Sequence, residues 1–253
     1  MRWRLIRTPP APGRYNMAVD RALFEGFSPG VSVPFIRIYT WSPPAVSVGR
    51  FQQPEEILDL DRCSAEGLDI ARRLTGGSAI LHDDEVTYSL LCSAGMLRGM
   101  SVTDSYLYLS GFILRAWRKS GIDAGFACER DPGRVRRDTG FCFSGACSYD
   151  TVSGGRKLGG SAQRRTRDKI FQHGSLPLST GDDPGRFFRV PVGNPGEGAP
   201  PPGHGVTRES LADALVESFS DLPDVTLEEI PLTAREKEAA EKLIEETGKT
   251  ALA

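Results

Sequence analysis

A thiol, an ammonium group and a glycine-rich strand lie close together in the stretch CFSGACSYDTVSGGRKLGGSAQ, residues 142–163. Cys142 and Cys147 precede Lys157, which stands between two glycine pairs. A thiolate attacks carbonyl carbon, and a nearby ammonium both favours the thiolate and stabilises the oxyanion that forms. Lysine occurs at only six positions among 31 basic residues. The stretch therefore fits three kinds of site: a structural thiol pair, half of a metal site, or a nucleophile with a charged helper.

A second candidate is RRLTGGSAILHDDEVTY, residues 72–88. Gly76 and Gly77 would let backbone approach a ligand closely, while Arg72 or Arg73 meets an anionic or carbonyl group. The same letters also suit a plain turn between two strands with its arginines in water. The stretch lacks the spacing of a phosphate loop and of a dinucleotide-binding fingerprint. From the residues alone, both interpretations stay open.

The histidines and cysteines do not form a metal-ligand pattern. His82 and His173 fall in strand-like segments, and His204 falls in a Pro/Gly-rich loop. Cys142 and Cys147 have four residues between them, but no second pair follows at ligand spacing. We therefore expect no metal and no cofactor. The five cysteines are odd in number and follow no export signal, which favours free thiols in a reducing cytoplasm.

Composition narrows the class of protein. The 253 residues are 39% hydrophobic and 25% charged, as in a globular protein, and the formal net charge is -2. This balance gives no support to a nucleic-acid or membrane binder, which would need a basic surplus. No apolar run approaches the ~20 residues of a membrane span. We expect a cytoplasmic protein with neither kind of partner.

Periodicity predicts the elements that position these residues. Helices are expected near the start, the centre and the end, and strands dominate the middle, which indicates an α/β protein of the α+β type with a mixed β-sheet flanked by helices. Lys157 is expected on a short strand, in a strand region from about residue 139 to 178. The predicted features are an opening strand in MRWRLIRTP, residues 1–9, a helix over 104–121, a Pro/Gly-rich surface loop over 179–206, and C-terminal helices over 207–253, the second capped by Thr233 and Glu236.

Several stretches together resemble the lipoate ligase and octanoyltransferase family, which is related in fold to biotin protein ligases. They are WRLIRT with NMAVDRAL, IRIYTWSPPAVSVGRFQ, ARRLTGGSAILHDDEVTYS and GRKLGGSAQRRTRDKIFQHGSL, in family order and at family spacing. The stretch ARRLTGGSAILHDDEVTYS is similar to the cysteine-dependent octanoyltransferase branch. The ligase branch typically has a third glycine where Ser78 stands. The resemblance implies a single biotin/lipoate protein ligase-like catalytic domain over residues 1–253.

The resemblance also implies roles for particular residues. In the octanoyltransferase branch, the cysteine that forms an acyl thioester stands fifteen residues before the lysine of the G-R-K motif, which selects Cys142 and Lys157. Cys147 is then structural. The residues implied to shape the acyl pocket and the space around the reacting carbonyl are Arg72, Arg73, Gly76, Gly77, His82, Ser161 and Ala162.

The implied reaction is a two-step acyl transfer that needs no metal or nucleotide. The expected donor is octanoyl-acyl carrier protein, and the expected acceptor is a lysine of the glycine cleavage H protein or of lipoyl domains of 2-oxoacid dehydrogenases. A monomer is expected. Three rivals stay open: an amidotransferase that takes octanoyl from the H protein, an ATP-dependent lipoate-protein ligase, and a catalytically silent acyl-binding protein.

Overall fold

The structure is a computed structural model that describes residues 1–130, 149–179, 183–189, 199–200 and 203–248. Within these ranges the α-helices are α1 (Gly13–Gly26), α2 (Pro54–Ile57), α3 (Leu60–Ala65), α4 (Val102–Lys119), α5 (Ala127–Arg130), α6 (Arg208–Ser220) and α7 (Ala234–Gly248). The strands are β1 (Arg2–Arg7), β2 (Phe35–Tyr39), β3 (Ala45–Val48), β4 (Asp69–Arg72), β5 (Ile80–His82), β6 (Glu85–Ser93), β7 (Gly125–Phe126), β8 (Thr151–Ser153), β9 (Arg156–Arg165), β10 (Lys169–Pro177) and β11 (Thr226–Glu229).

The strands form two sheets. The large sheet has the order β11-β1-β2-β6-β10-β9-β8-β7, and the small sheet has the order β4-β3-β5. In the large sheet, β1 pairs in parallel with both β11 and β2. The remaining neighbours pair antiparallel: β2 with β6, β6 with β10, β10 with β9, β9 with β8 and β8 with β7. This arrangement confirms the predicted α+β fold with a mixed sheet flanked by helices.

Successive side chains of the central strands point to opposite faces of the large sheet, and both sets are apolar. Helices therefore cover both faces. Leu90 and Cys92 of β6 face α4 and α6, where Phe112 and Phe219 pack edge to face. Leu91 faces the opposite way, toward α1 and α7. Each fully buried side chain of this size stabilises the fold by about 1.5–3 kcal/mol.

Local signals set the helix ends close to the predicted places. Ser101 caps α4 by accepting from the Asp104 amide, and Gly121 follows the helix at φ +81°, which suits glycine. At α7, Thr233 and Glu236 hydrogen-bond each other's backbone amides, which confirms the predicted capping box.

Two predictions differ from the structure. The 179–206 segment was expected to be irregular surface, yet its described part contains a short 3-10 helix, Pro184–Phe187, with Phe187 and Phe188 buried against the small sheet. Two adjacent aromatic side chains overcome the turn-forming composition because their burial removes a large apolar area from water. The strand that carries Lys157 is also longer than expected, since β9 spans ten residues.

A buried ion pair joins α1 to the large sheet. Arg37 of β2 is 0% exposed, and its Nη1 lies 2.8 Å from Asp20 Oδ1. Its Nη2 donates to Asn16 Oδ1 at 2.7 Å. Tyr39 and Ser89 donate to the same Asp20 carboxylate at 3.0 and 2.8 Å. Because Asn16 and Asp20 are four residues apart, one face of α1 supplies both acceptors.

Replacing Arg37 with Met should lower the free energy of unfolding by about 3–5 kcal/mol, because Asp20 stays buried without its cation. The exposed pair of Arg2 with Glu228 offers a matched control. Arg2→Met should change stability by less than about 1 kcal/mol. Urea unfolding of both variants measures the difference, and equal losses would show that the buried pair is not special.

Candidate active site

Arg73 holds the turn between β4 and β5 from inside. The buried guanidinium donates through Nη1 to the carbonyl and the hydroxyl of Ser47, both at 2.7 Å, and through Nη2 to the Ser78 carbonyl at 2.8 Å. Gly77 in the same turn has φ +96°, and its carbonyl lies against Gly49 so closely that no side chain would fit at residue 49. The turn is therefore shaped by one arginine and by close backbone contacts.

Arg72 points the opposite way, as neighbouring strand residues do. Its Nη1 donates to the carbonyls of Gly49, Arg50 and Gln52, the last at 2.7 Å. Arg72 thus fixes the loop after β3, on the other side of the strand from Arg73. Its predicted place in the acyl pocket stays a prediction.

His82 connects the small sheet to the large one. Its Nε2 lies 2.6 Å from Ser47 Oγ, and its Nδ1 lies 2.9 Å from Glu85 Oε1. The Glu85 carboxylate also accepts from Ser175 Oγ of β10 at 2.6 Å and from the Thr87 hydroxyl. We call the series Ser47, His82, Glu85 and Ser175 the bridging chain. The Trp41 ring stacks on His82 at 3.8 Å, so the imidazole is held on its face as well as at both nitrogens.

The surroundings of Glu85 keep its carboxyl ionised. Burial by itself raises the pKa of Glu85, but the His82 charge and hydrogen bonds from His82, Ser175 and Thr87 outweigh it and lower the pKa below its ordinary value. A buried carboxylate with this set of donors is satisfied and rigid.

His173 lies beside the turn on the neighbouring strand. Its Nε2 is 2.7 Å from Thr75 Oγ1. Burial holds the pKa of His173 well below its usual value, and the charges of Arg73 and His82 lower it further. The imidazole is therefore neutral near pH 7, and it offers a hydrogen-bonding surface without adding charge.

Lys157 forms a buried ion pair with Asp150. Lys157 and Asp150 are only 4% and 5% exposed, and Nζ lies 2.8 Å from Asp150 Oδ2. The β8–β9 hairpin turns at Gly154 and Gly155, which have positive φ. This turn brings Lys157 back beside Asp150. A Cβ at Gly160 would lie 2.9 Å from the Asp150 carboxylate and 3.2 Å from Nζ. The glycine pair after Lys157 therefore makes room for the ion pair.

The contact with the Cβ position of Gly160 places this ion pair on the side of the sheet that carries His173. Gly160 pairs with Ser175, and Ala162 pairs with His173. Paired residues share a face, and so do residues two apart. We call this side the site face. It presents the ammonium of Lys157, the Ser175 hydroxyl and the neutral imidazole of His173.

Ser161 faces the other way. Its hydroxyl lies 2.7 Å from Tyr88 Oη, and its carbonyl accepts from Tyr106 Oη at 2.8 Å. Gln172 also donates to Tyr88 Oη at 2.6 Å, and burial raises the pKa of Tyr88 to about 12. This polar cluster fixes the backbone of β9 from behind, so the predicted role of Ser161 near a carbonyl falls on its backbone.

The structure brings most of the predicted site residues into two adjoining groups. Arg73, Gly76, Gly77 and His82 form the turn and its support, and Lys157 with Ala162 lies on the site face of β9. Cys142 and Cys147 lie outside the described residues. Within the described ranges, no three His, Cys, Asp or Glu side chains are grouped to hold a metal ion, and no helix has the length and apolar character for crossing a bilayer.

Sequence reasoning missed Asp150, Glu85 and Thr75 as members of the site. The signal for Asp150 was available, because an acidic residue before a glycine hairpin can return beside a lysine after it. Glu85 stands three residues after His82, a spacing that could have indicated their contact. Thr75 carries no comparable signal, since only the fold brings it beside His173.

The described cysteines are free thiols. Burial raises the pKa of Cys92 to about 12, which leaves it protonated at neutral pH. Burial, followed by the nearby Asp59 carboxylate, also raises the pKa of Cys63.

Comparisons with known proteins identify a family and several relatives. The lipoyl protein ligase A/B catalytic domain family matches residues 12–191. The octanoyltransferase LipM of Kyrpidia tusciae is 39% identical over 268 residues, covering 96% of this chain and 94% of its own length. LipM of Moorella thermoacetica is 40% identical over 193 residues, covering 75% and 70%.

Solved structures show the same fold. A lipoate-protein ligase A bound with ATP superposes with a TM-score of 0.79 at 24% identity, covering 99% of this chain and 97% of its own. A bipartite lipoate protein ligase of Thermoplasma acidophilum gives 0.78 at 23% identity, covering 99% and 94%. At this identity the likeness speaks for the fold alone.

The fold and the family match define a catalytic domain that handles acyl groups. The chain belongs to the lipoyl protein ligase A/B catalytic domain family, and its relatives confirm the predicted class of enzyme, an acyltransferase.

Asp150→Asn should lower the free energy of unfolding by about 3 kcal/mol, because the Lys157 ammonium loses its buried carboxylate. The double variant Asp150→Asn/Lys157→Met removes the charge as well and should recover a large part of that loss. Asp61→Asn on the exposed side of α3 is the control and should change little. Urea unfolding reports all three, and a double variant no more stable than Asp150→Asn would contradict an energetic pairing.

Stability should fall as the pH drops below about 6.5, where the unfolded chain protonates His173 and the folded chain does not. The contribution of His173 is complete above that pH and decreases by up to about 1.4 kcal/mol per pH unit below it. The stability that ionised Glu85 contributes is lost only below about pH 4.3, the ordinary glutamate pKa. Unfolding curves from pH 7 to 4.5 should be flatter for His173→Gln, which keeps an acceptor for Thr75. The partly exposed His204 provides the control, and His204→Gln should keep the parent slope.

Proposed function

We propose that this protein is an octanoyl-[acyl carrier protein]:protein N-octanoyltransferase of lipoate biosynthesis that works through a thioester on Cys142. The observation that carries the proposal is the buried Lys157 ammonium on the site face, fifteen residues after Cys142. Relatives named octanoyltransferase LipM, which align over most of the chain, support octanoyl as the transferred group. Residues 1–253 would act as one catalytic domain, as a monomer.

The proposed reaction has two balanced steps. The Cys142 thiolate attacks the thioester carbonyl of the octanoyl donor, the carbon–sulfur bond to the carrier breaks, and the carrier thiolate leaves and takes up a proton. The neutral amine of an acceptor lysine then attacks octanoyl-Cys142 and loses a proton. The Cys142 thiolate leaves, and an amide remains on the acceptor. Covalent catalysis divides one difficult exchange between two proteins into two easier steps.

Lys157 would act mainly at the carbonyl oxygen. Because Asp150 lies 2.8 Å from Nζ, the pair carries little net charge, and its long-range pull on a thiol is reduced. An ammonium has three N–H donors, so contact with Asp150 is compatible with donation to an oxyanion at close range. Asp150 would serve as a positioning residue that holds the ammonium at a fixed place on the site face.

The remaining predicted residues would bind the acyl chain. Gly76 and Gly77, supported by Arg73 and His82, would form the mouth of the pocket, and the backbone at Ser161 and Ala162 would lie along the reacting carbonyl. Neutral His173 and the Trp41 ring, which stacks on His82, supply uncharged surface next to that path. An eight-carbon chain gains about 0.8 kcal/mol for each methylene that such surface removes from water. The acceptor would be a lysine of the glycine cleavage H protein or of a lipoyl domain.

Intact-protein mass spectrometry after brief incubation with octanoyl-acyl carrier protein, without ATP, tests the nucleophile. The parent and the control variant Cys147→Ser should gain an octanoyl mass that hydroxylamine removes, and Cys142→Ser should not. An adduct that forms only from octanoyl-H protein would instead indicate the amidotransferase. Acceptor modification that requires ATP and free octanoate would indicate the ligase, and carrier binding without any turnover would indicate a silent acyl-binding protein.

Lys157→Met should slow formation of the acyl-enzyme by about 100-fold, because an oxyanion loses its charged donor. Its KM for the carrier should change far less, since the ammonium acts on the reacting carbonyl and not on the carrier surface. Quenched-flow mass spectrometry measures the rate. A rate equal to that of the parent would remove Lys157 from the mechanism.

A further inference from the structure

A groove rich in arginine lies beside the candidate active site. It has a volume of about 520 Å³ and is bounded by α1, β4, the end of β9 and α7. Its walls carry six arginines and a single carboxylate, Glu25, together with apolar side chains such as Leu74 and Ile244. The arginines of this arginine groove are Arg14, Arg21, Arg50, Arg72, Arg73 and Arg164. Arg14 pairs with Asp69 at 2.9 Å and Arg21 pairs with Glu25 at 2.8 Å, so the other four arginines supply the excess positive charge of the groove.

The cations in the groove are close enough to repel each other. Burial lowers the pKa of Arg164, and the charges of Arg50 and Arg21 lower it further, against the opposing effect of Glu25. Arg50 is fully on the surface, and Arg164 lies over the Phe24 ring at 4.7 Å. Bringing an anionic surface into this groove would relieve that repulsion.

An exposed aromatic side chain stands at the edge of the groove. Phe51 is 81% exposed, and the Arg50 guanidinium lies 5.6 Å from its ring. Arg72 binds three carbonyls of the loop that presents both residues, so the loop is held in place. Aromatic and arginine side chains on a fixed loop are the residue types that dominate the energetics of protein interfaces.

The groove and the site share one segment of chain. Arg72, Arg73 and Leu74 line the groove, and the next residue, Thr75, contacts His173 in the site. Phe51 also lies 4.0 Å from the position that a Cβ would take at Gly76. A protein docked in the groove would therefore lie next to the turn at the mouth of the site.

We propose that the arginine groove docks the acidic carrier protein that delivers the acyl thioester, with Phe51 in apolar contact at its edge. This inference rests on the proposed function. Charge selects the donor over the acceptor, because the acceptor brings a lysine that positive potential repels, whereas a thioester brings no cation.

Steady-state acyl-enzyme formation tests the docking surface with two donors: octanoyl-acyl carrier protein, and octanoyl-pantetheine, which has no protein part. Arg50→Glu/Arg164→Glu should raise the KM for the carrier about tenfold or more. Phe51→Ala should raise it by a similar factor. Both variants should keep the parent rate with octanoyl-pantetheine. The carrier KM of the parent should rise steeply with salt, and that of the double variant should not.

Arg98→Glu is the matched control, since Arg98 is exposed and follows the segment that packs on the α4 side of the sheet. It should behave as the parent does. Groove variants with an unchanged carrier KM, in a parent that accepts both donors, would overturn the docking proposal and leave the function standing. A parent that accepts neither donor would overturn the function itself. Groove variants that slow both donors equally would assign these residues to the fold and overturn docking.

Discussion

The bridging chain is the constraint on which the site depends. Two sheets meet around Ser47, His82, Glu85 and Ser175, and each polar group buried there must find a partner or carry the full cost of losing water. The partners come from four different strands, so the relative position of the sheets is defined by hydrogen-bond geometry. Apolar packing alone tolerates small shifts. Hydrogen bonds of 2.6 and 2.9 Å on the two sides of both the imidazole and the carboxylate tolerate few. Ser47 hydrogen-bonds both His82 and Arg73, so the position of the turn that follows β4 is fixed by the same hydrogen bonds.

The Lys157–Asp150 pair changes how the chemistry of the site is understood. From the sequence, a single ammonium near a thiol suggests a group that lowers the thiol pKa. The structure places a carboxylate against that ammonium, so the cation is held locally and its field falls off quickly with distance. A group of this kind acts best on an atom that it touches, as the oxygen of a tetrahedral intermediate would be. In the proposed reaction, the arrangement would favour selective stabilisation of the transition state over general activation of the nucleophile.

The sequence predicted the fold well where the signals are local. The capping box of Thr233 and Glu236 and the glycine that follows α4 are both set by neighbouring residues. The site was predicted mainly through the resemblance to a family, and the residues alone left the TGG turn and the lysine ambiguous. Thr75 escaped because its partner His173 lies 98 residues further along the chain. Asp150 and Glu85 lie close in sequence to Lys157 and His82, so their contacts could have been inferred from the spacing. Arg72 and Arg73 show the same limit, since adjacent letters of one kind point to opposite sides of a strand.

Burial of Cys63 and Cys92 has a consequence for the fidelity of the proposed acyl-enzyme. A thioester can pass to any thiolate within reach, and each such exchange would strand the acyl group away from its acceptor. With a pKa of about 12, Cys92 is ionised at neutral pH to the extent of only about one part in 100,000. Cys63 is also buried, and its raised pKa shifts it the same way. These two thiols therefore stay protonated and neither accept nor intercept an acyl group. Protonation alone suppresses acyl transfer to them, whatever their distance from the thioester.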